Sequence, residues 1–351
     1  MVKSILKLSF IILFLAACKK EDNSDIINEQ KTDKPITQTP YALNLPPHFV
    51  YIDRPQIPID NPLTVEGIAL GKKLYYEKKL SKGGAFDGLA CASCHLQSQS
   101  FSSNGGNNTQ VIPHFNLAWP NQFLWNGKIK GTLEDVMLFE VDDFFQANLL
   151  DIKSDPEYQN MYKSAFGNEA IDSKHTAYAL AQFLRTLVSG DSKADNEIKK
   201  RNGIAYTGQA LNAQEKRGYE LFISEGKGDC MHCHGIFPNP LWTDFEYRNN
   251  GLDANPDSGL AQTTRRASDV GKFKTPSLRN LVFTSPYMHD GRFQTLEEVI
   301  DFYTSGVQVS PTIDPTLLKN RNLTPTEKLD LIAFLKAITD STFVTNPAFS
   351  E

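Results

Sequence analysis

Apolar residues recur at the three- and four-residue spacing of amphipathic helices in several short segments of the chain. Two of these segments, residues 66–76 and 213–222, match each other and place Gly71 and Gly218 at equivalent positions. The spacing predicts a short helix in each segment. The match between them indicates an internal repeat.

The similarity between the two halves continues further along the chain. Residues 126–128 and 290–292 are alike, and each is followed by a threonine, Thr132 or Thr295. We expect both threonines to be N-caps, because acidic residues occupy the helical turn that follows. Each half therefore contains a helix, a long loop and another helix.

A closing helix is predicted at the end of each half. Residues 176–189 carry the helical pattern in the first half. Residues 324–339 carry it in the second, with Thr324 as N-cap and Pro325 as the first helical residue. Residues 191–208 are charged and contain glycine, which favours a linker between the halves. The fold class predicted from this pattern is mainly α.

The N-terminus has the features of an export signal. Lys3 and Lys7 precede an apolar run, residues 8–17, which is shorter than the roughly 20 residues of a membrane-spanning helix. Residues 1–17 are predicted to be a lipoprotein signal peptide, because Leu-Ala-Ala-Cys resembles a bacterial lipobox whose lipidated residue is Cys18. An ordinary signal peptide with a chance cysteine is the alternative.

The segment after the signal is polar and contains two prolines. Residues 18–45 have little apolar surface to bury, so they are predicted to form a flexible tether. The expected location is therefore outside the cytoplasm, with Cys18 anchoring the chain to a membrane of the bacterial cell envelope. The folded body would face the periplasm or the cell surface.

Composition adds two constraints. The 351 residues are enough for two domains with separate cores, and 40% of them are hydrophobic, so most of the chain should fold. There are 36 Lys and Arg against 41 Asp and Glu, with no prominent basic run. This balance argues against nucleic acid as the main partner.

The four cysteines other than Cys18 form two copies of one pattern, C-x-x-C followed at once by histidine. The first copy is Cys91, Cys94 and His95, and the second is Cys230, Cys233 and His234. This pattern is the attachment signature of c-type haem: two thioethers hold the porphyrin, and the histidine binds the iron as proximal ligand.

Three other readings of the cysteines are weaker. A Cys₂His₂ zinc site has its histidines in a separate spaced pair, and a thioredoxin-like pair has no reason for the following histidine. Disulfides rarely join cysteines three residues apart. We therefore expect two covalently bound haem c groups in two cytochrome c-like domains related by internal duplication, residues 46–205 and 206–345.

The internal repeat also suggests ligands for the open side of each iron. Extending the alignment pairs Glu140 with Tyr303, so the two side chains are expected at equivalent positions. No methionine lies beyond Met288, which leaves Tyr303 as our predicted sixth ligand of the second haem. A phenolate favours ferric iron. The alternative is a core tyrosine with a hydrogen-bonded hydroxyl.

Over residues 47–340 the sequence resembles the bacterial di-haem cytochrome c peroxidase and MauG superfamily. The segments that carry the resemblance are the two haem motifs, residues 116–128, 276–280 and 285–293, and the helix that reaches Tyr303. Tyr303 aligns with the axial methionine of the peroxidases and with the axial tyrosine of MauG.

The resemblance implies different roles for the two haems. Peroxide would react at the His95 haem, and electrons from a small cytochrome c or cupredoxin would enter at the His234 haem. Trp125 matches a tryptophan between the haems, an expected electron relay whose alternative role is core packing. His289 is expected near a haem propionate or between the haems. A homodimer is common in the family.

The resemblance also implies a calcium ion between the domains. The matching carbonyl groups are those of Thr284 and Pro286, with Gln110 or Asn108 near the third position. Calcium accepts such oxygen ligands in flexible geometry.

The first half departs from the family pattern. The positions of the usual distal glutamine and glutamate are occupied by Val136 and Gln146, neither of which can do the acid–base work of a carboxylate. We expect Glu140 to supply that group; iron ligation by Glu140 or a solvated surface position are the alternatives. Asp142 and Asp143 are reserve candidates.

His114 is the nearest histidine that could block the first iron, and a packed structural histidine is the alternative role. The leading functional hypothesis is an exported di-haem enzyme that reduces hydrogen peroxide to water. A MauG-like oxidation of a partner protein is the second hypothesis. The third is a di-haem electron carrier without catalysis, which the residues at positions 136 and 146 favour.

Overall fold

Helices dominate the computed structural model, which describes residues 37–103, 109–167, 170–319 and 321–351. The mainly α fold predicted from the sequence is confirmed. The α-helices are α1 Val65–Tyr75, α2 Cys91–Cys94, α3 Leu133–Phe139, α4 Leu150–Ser154, α5 Pro156–Phe166, α6 Ser173–Thr186, α7 Lys193–Arg201, α8 Ala213–Ile223, α9 Met231–His234, α10 Ala261–Thr264, α11 Leu296–Asp301, α12 Pro325–Ala337 and α13 Ser341–Thr345.

Shorter elements connect these helices. The 3₁₀ turns are Pro47–Tyr51, Lys78–Ser81, Gln97–Gln99, Ala267–Asp269, Leu281–Phe283 and Pro315–Leu318, and two π-helical turns are Glu140–Phe144 and Phe302–Gly306. Two antiparallel strand pairs complete the described structure: β1 Gln122–Phe123 with β2 Ile129–Lys130, and β3 Tyr247–Arg248 with β4 Phe273–Lys274.

The two glycines matched in the sequence allow two helix pairs to pack closely. Helix α1 packs on α6 and α8 packs on α12. A Cβ atom added to Gly71 would lie 1.9 Å from the carbonyl oxygen of Ala179, and one added to Gly218 would lie 2.0 Å from that of Asp330. No side chain fits at either crossing, so the glycines set the distance between the helices.

Two hydrophobic cores are built on these pairs. The first takes its side chains mainly from α1, α3, α5 and α6, and the second from α8, α11 and α12. Phe343 of α13 and Phe349 belong to the first core although they follow α12. The C-terminal segment therefore returns to the first half of the chain.

The helix ends follow the predicted capping chemistry. The side chain of Thr295 accepts a hydrogen bond from the backbone N–H of Glu298, and that of Thr324 accepts one from Glu327, with Pro325 at the start of α12. The N–H of Thr132 donates to the Asp135 carboxylate, 2.6 Å away. Local sequence thus determines where these helices begin.

Two predictions about connecting segments are wrong. Residues 191–208 do not form a simple linker, because they contain α7, whose Asp195 is fully buried and paired with Arg279. The predicted tether extends too far: the backbone N–H of Tyr41 donates to Leu63 and that of Thr39 to Glu66. These backbone groups find partners on the folded body, which a flexible tether lacks.

The predicted signal peptide and Cys18 lie outside the described residues. Within the described ranges, every helix is too short or too polar to cross a bilayer.

Candidate functional site

The first C-x-x-C-H motif forms the short helix α2 and the residue that follows it. Nδ1 of His95 lies 2.9 Å from the carbonyl oxygen of Phe101, which can only accept, so Nδ1 carries the proton of this hydrogen bond. Burial lowers the pKa of His95 to about 4. The imidazole is therefore neutral near pH 7, with Nε2 free to bind a metal.

The second motif repeats this arrangement at α9. Nδ1 of His234 lies 3.3 Å from the carbonyl oxygen of Trp242, a fully buried residue. Burial lowers the pKa of His234 to about 4 as well. Both motifs thus present a neutral histidine oriented by a backbone carbonyl, as expected for proximal iron ligands.

A cavity with about 1220 Å³ of unfilled space, partly continuous with solvent, opens beside the second motif. Cys230, Cys233 and His234 line it, together with Tyr303 and Trp125. The cavity lies where a porphyrin attached to the two cysteines would have to lie.

Buried nitrogen atoms in the same cavity also fit a haem. Nη1 of Arg321 and Nε2 of His289 are buried and form no hydrogen bond, and the nearest carboxylate oxygen to His289, on Asp257, is 3.6 Å away. Unpaired buried donors are costly, so they imply a missing acceptor. The haem propionates are acceptors of this kind, which supports the predicted position of His289.

The chemistry of the thiols argues against thiol redox activity. None of the four cysteines of the two motifs forms a disulfide. Burial raises the pKa of Cys91 and of Cys230 to about 12, so neither is a reactive thiolate at neutral pH.

Tyr303 lies in the π-helical turn that continues α11, and its ring lines the second cavity. Burial raises the pKa of its phenol to about 12, although Nδ2 of Asn250, 3.4 Å from the hydroxyl, acts in the opposite direction. Tyr303 is therefore a neutral phenol unless a metal ion displaces its proton.

The structure also brings Met288 into this cavity, which the sequence argument did not foresee. Nδ2 of Asn250 lies 3.4 Å from the Met288 sulfur as well as 3.4 Å from the Tyr303 hydroxyl. Counting methionines beyond position 288 therefore did not remove the thioether as a rival ligand. Met288 precedes α11 in the chain, and only the fold shows that its side chain lines the same cavity as Tyr303.

Glu140 occupies the corresponding π-helical turn after α3. Burial raises the pKa of its carboxyl to about 7, and the nearby ammonium of Lys128 opposes this rise only in part. Its charge in turn raises the pKa of the Cys91 thiol, so Glu140 lies close to the first attachment site. A carboxyl with this pKa can both accept and donate a proton near neutral pH.

The other acid–base candidates of the first half are less suitable. Val136 is buried in the first core, whereas Gln146, Asp142 and Asp143 are exposed. Of the carboxyl candidates predicted from the sequence, Glu140 alone is half-buried and close to the first motif.

His114 does not face His95 as a second axial ligand would. The two imidazole rings stack with centroids 3.5 Å apart and planes 15° apart, and Nδ1 of His114 lies 3.1 Å from the Tyr75 hydroxyl. Two axial histidines point their nitrogens at each other from opposite faces of a porphyrin, which stacked rings cannot do. His114 is a packed, hydrogen-bonded neighbour of the proximal ligand.

Trp125 connects the first half to the wall of the second cavity. Its Nε1 donates to the carbonyl oxygen of Gln110 at 2.7 Å, and its own carbonyl oxygen accepts from the backbone N–H of Lys274. Both bonds fix Trp125 at the wall of the second cavity. This position is compatible with the predicted electron relay.

One of the predicted calcium ligands already accepts a hydrogen bond. Nε2 of Gln110 donates to the carbonyl oxygen of Thr284 at 2.9 Å, whereas Oε1 of Gln110 is buried without a partner. Pro286 follows a cis peptide bond in the same loop, and Asn108 lies outside the described residues. In the described part of the chain, no cluster of three or more His, Cys, Asp or Glu could hold a metal.

Comparison with known proteins gives a consistent result. Residues 65–203 match the family described as di-haem cytochrome c peroxidase. The chain is 33% identical to cytochrome-c peroxidase IdrP1 of Pseudomonas sp. (strain SCT), over 87% of this chain and 90% of that protein. It is 32% identical to methylamine utilization protein MauG of Methylophilus methylotrophus, over 86% of this chain and 92% of that protein.

A solved structure shares the fold along nearly the whole described chain. The crystal structure of a MauG-like protein associated with microbial copper homeostasis has a TM-score of 0.75 and 30% identity to this chain. The match covers 88% of this chain and 99% of that one.

Proposed function

The chain belongs to the di-haem cytochrome c peroxidase and MauG family, and on this premise we propose that it reduces hydrogen peroxide to water. Family membership implies an oxidoreductase with two c-type haems. The haem irons would supply the redox chemistry once bound at His95 and His234. The electrons would come from a small cytochrome c or a cupredoxin.

The observation that carries this proposal is the half-buried carboxyl of Glu140 close to the first attachment site, where burial raises its pKa to about 7. Cleaving the oxygen–oxygen bond needs a group that takes a proton from one peroxide oxygen and returns it to the other. Glu140 can do both, because its two protonation states are similarly populated near pH 7. Its role replaces that of the carboxylate missing at position 146.

The second half would receive the electrons. Tyr303 and His234 line one cavity, which supports Tyr303 as the second iron's ligand, and Met288 on the same wall is its competitor. Trp125 reaches this cavity from the first half and would pass electrons between the sites. In this scheme residues 46–205 form the peroxide-reactive domain and residues 206–345 the electron-transfer domain.

Stopped-flow mixing of the ferric, haem-loaded protein with hydrogen peroxide tests this function. We expect a rapid change in the Soret band and turnover when a reduced cytochrome or cupredoxin is added. A Soret band that peroxide leaves unchanged contradicts the proposal. Haem content is checked first, because a chain with fewer than two haems is not a valid sample.

A second function, oxidation of a partner protein, is favoured by Tyr303, because this residue matches the axial tyrosine of MauG. The discriminating measurement is made without external reductant. A long-lived oxidised state shared by both haems, followed by mass gain or cross-linking on a candidate partner, supports this second function. Rapid loss of that state when a small cytochrome donor is present supports the peroxidase.

The cellular setting is also a proposal. Residues 1–17 would direct export, and a lipid on Cys18 would anchor the chain in the cell envelope. Mass spectrometry of the mature N-terminus tests this, with a Cys18→Ser variant as control that should no longer partition into detergent. A homodimer is a further proposal, which sedimentation of the mature protein tests.

A further inference from the structure

The loop after the first haem motif is tied to the second half of the chain by Asn280. Nδ2 of Asn280 donates hydrogen bonds to Oγ of Ser100 at 2.9 Å and to Oγ of Ser189 at 3.1 Å. Its Oδ1 accepts one of 2.7 Å from the backbone N–H of Asp340. The side chains that form the first two bonds are fully buried: Asn280, Ser100 and Ser189. A buried amide with all these bonds made is a rigid connection.

The part of the loop that Asn280 contacts has an uncommon backbone. Ser100 and Phe101 both have a φ of 57°, in the left-handed region that residues other than glycine rarely adopt. Such a conformation persists only where the surroundings hold it in place. Asn280 holds this turn through the Ser100 hydroxyl, while the rings of Phe343 and Phe349 pack on Phe101.

The turn presents one carbonyl group to the haem motif. The carbonyl oxygen of Phe101 accepts the Nδ1–H of His95 at 2.9 Å and the backbone N–H of His114 at 3.1 Å. A hydrogen bond from Nδ1 makes the imidazole a stronger donor to the iron and fixes the orientation of its ring. The electronic properties of the first iron thus depend on where the turn places this carbonyl.

We propose that Asn280 is a positioning residue for the axial ligand of the first haem, acting through Ser100 and the Phe101 carbonyl on His95. The inference rests on the haem site assigned above but not on peroxide chemistry. It gives a side chain of the second half control over the reduction potential of the first haem. A contact that only stabilises the fold would not have this effect.

Two serines that share the same amide provide a matched pair of variants. Ser100→Ala removes the bond on the haem side, and Ser189→Ala removes the bond on the other side, where Ser189 also contacts Arg279 and Asp340. Both variants should lower the midpoint of thermal unfolding. We expect only Ser100→Ala to raise the reduction potential of the first haem and to lower its iron–histidine stretching frequency.

The readouts are spectroelectrochemical titration of both haems and resonance Raman spectra of the ferrous protein. The potential of the second haem serves as an internal reference and should not move in either variant. Asn280→Gly, which tolerates the positive φ of 61° at this position, is the second test and should reproduce the effect of Ser100→Ala.

Equal potentials and equal stretching frequencies in the wild type, Ser100→Ala and Asn280→Gly overturn the proposal. Equal shifts in Ser100→Ala and Ser189→Ala also overturn it, because they indicate a general loosening of the interface. Neither result concerns the reaction with peroxide, so the proposed function is judged separately by its own experiment.

Discussion

Glu140 and Tyr303 each lie in a five-residue π-helical turn that directly continues a short α-helix, Glu140 as the first residue of its turn and Tyr303 as the second. Single π-turns inside helices are frequent at functional sites, because the wider turn redirects a side chain. One turn places a carboxyl near the first haem motif and the other places a phenol in the second cavity. The different side chains imply different roles for the two haems.

Replacing Glu140 by Gln should slow the reaction with peroxide by about 10²- to 10⁴-fold, the usual contribution of a general acid–base group. Because burial raises the pKa of Glu140 to about 7, the wild-type rate should rise with pH and reach half its maximum near pH 7. Stopped-flow measurements from pH 5 to 9 test this. Asp142→Asn, at an exposed acid, is the control and should react at the wild-type rate.

The same carboxyl should make folding depend on pH. The pKa of Glu140 is about 7 in the folded chain and about 4.3 when unfolded, so between these values the folded state binds more protons. The free energy of unfolding should therefore fall as pH rises from 4.3 to 7, by about 3 kcal/mol in total. Denaturant titrations of Glu140→Gln should show this decrease removed; an unchanged pH profile contradicts the burial argument.

Replacing Tyr303 by Met should raise the reduction potential of the second haem, because a thioether stabilises ferrous iron better than a phenolate does. Replacing it by Phe should change the spin state of that haem in low-temperature EPR. Tyr287→Phe, in the same cavity, is the control and should leave the spectrum unchanged. An unchanged spectrum in Tyr303→Phe would point to Met288 or to an open coordination position.

The buried pair of Asp195 and Arg279 should contribute strongly to stability. Burial alone would raise the pKa of Asp195, but Arg279 and His48 outweigh it and hold the pKa far below its usual range. Asp195→Asn leaves the Arg279 charge without its partner and should cost about 3–5 kcal/mol. Arg217→Gln, in a pair whose arginine is 60% exposed, should cost much less by chemical denaturation.

Calcium removal should leave the protein unchanged. Nε2 of Gln110 already donates to the Thr284 carbonyl, so a cation at this oxygen would have to compete with that N–H group. Treatment with a calcium chelator should alter neither the haem spectra nor the thermal midpoint. Gln110→Ala should lower the midpoint of thermal unfolding whether or not calcium is added. If added calcium restores the midpoint, the ion binds at this place after all.

The predictions that held depend on residues close together in the chain. A helix cap needs a threonine and the acid three residues later, as at Thr295 and Glu298. The first helix of each half, Val65–Tyr75 and Ala213–Ile223, follows from the spacing of apolar residues within its own segment. The linker prediction failed because charge normally indicates exposure, and no local signal reveals that Asp195 meets Arg279, 84 residues away.

The sequence by itself determined the two C-x-x-C-H motifs and, with them, our prediction of which cysteines hold haem, because attachment and proximal ligation join neighbouring residues. Only the tertiary structure decided the surroundings that tune this chemistry. The stacking of His114 on His95, the entry of Met288 into the second cavity and the reach of Asn280 to Ser100 depend on how separate segments pack. Spacing along a chain cannot show such contacts, because burial and distance in space arise only when the cores form.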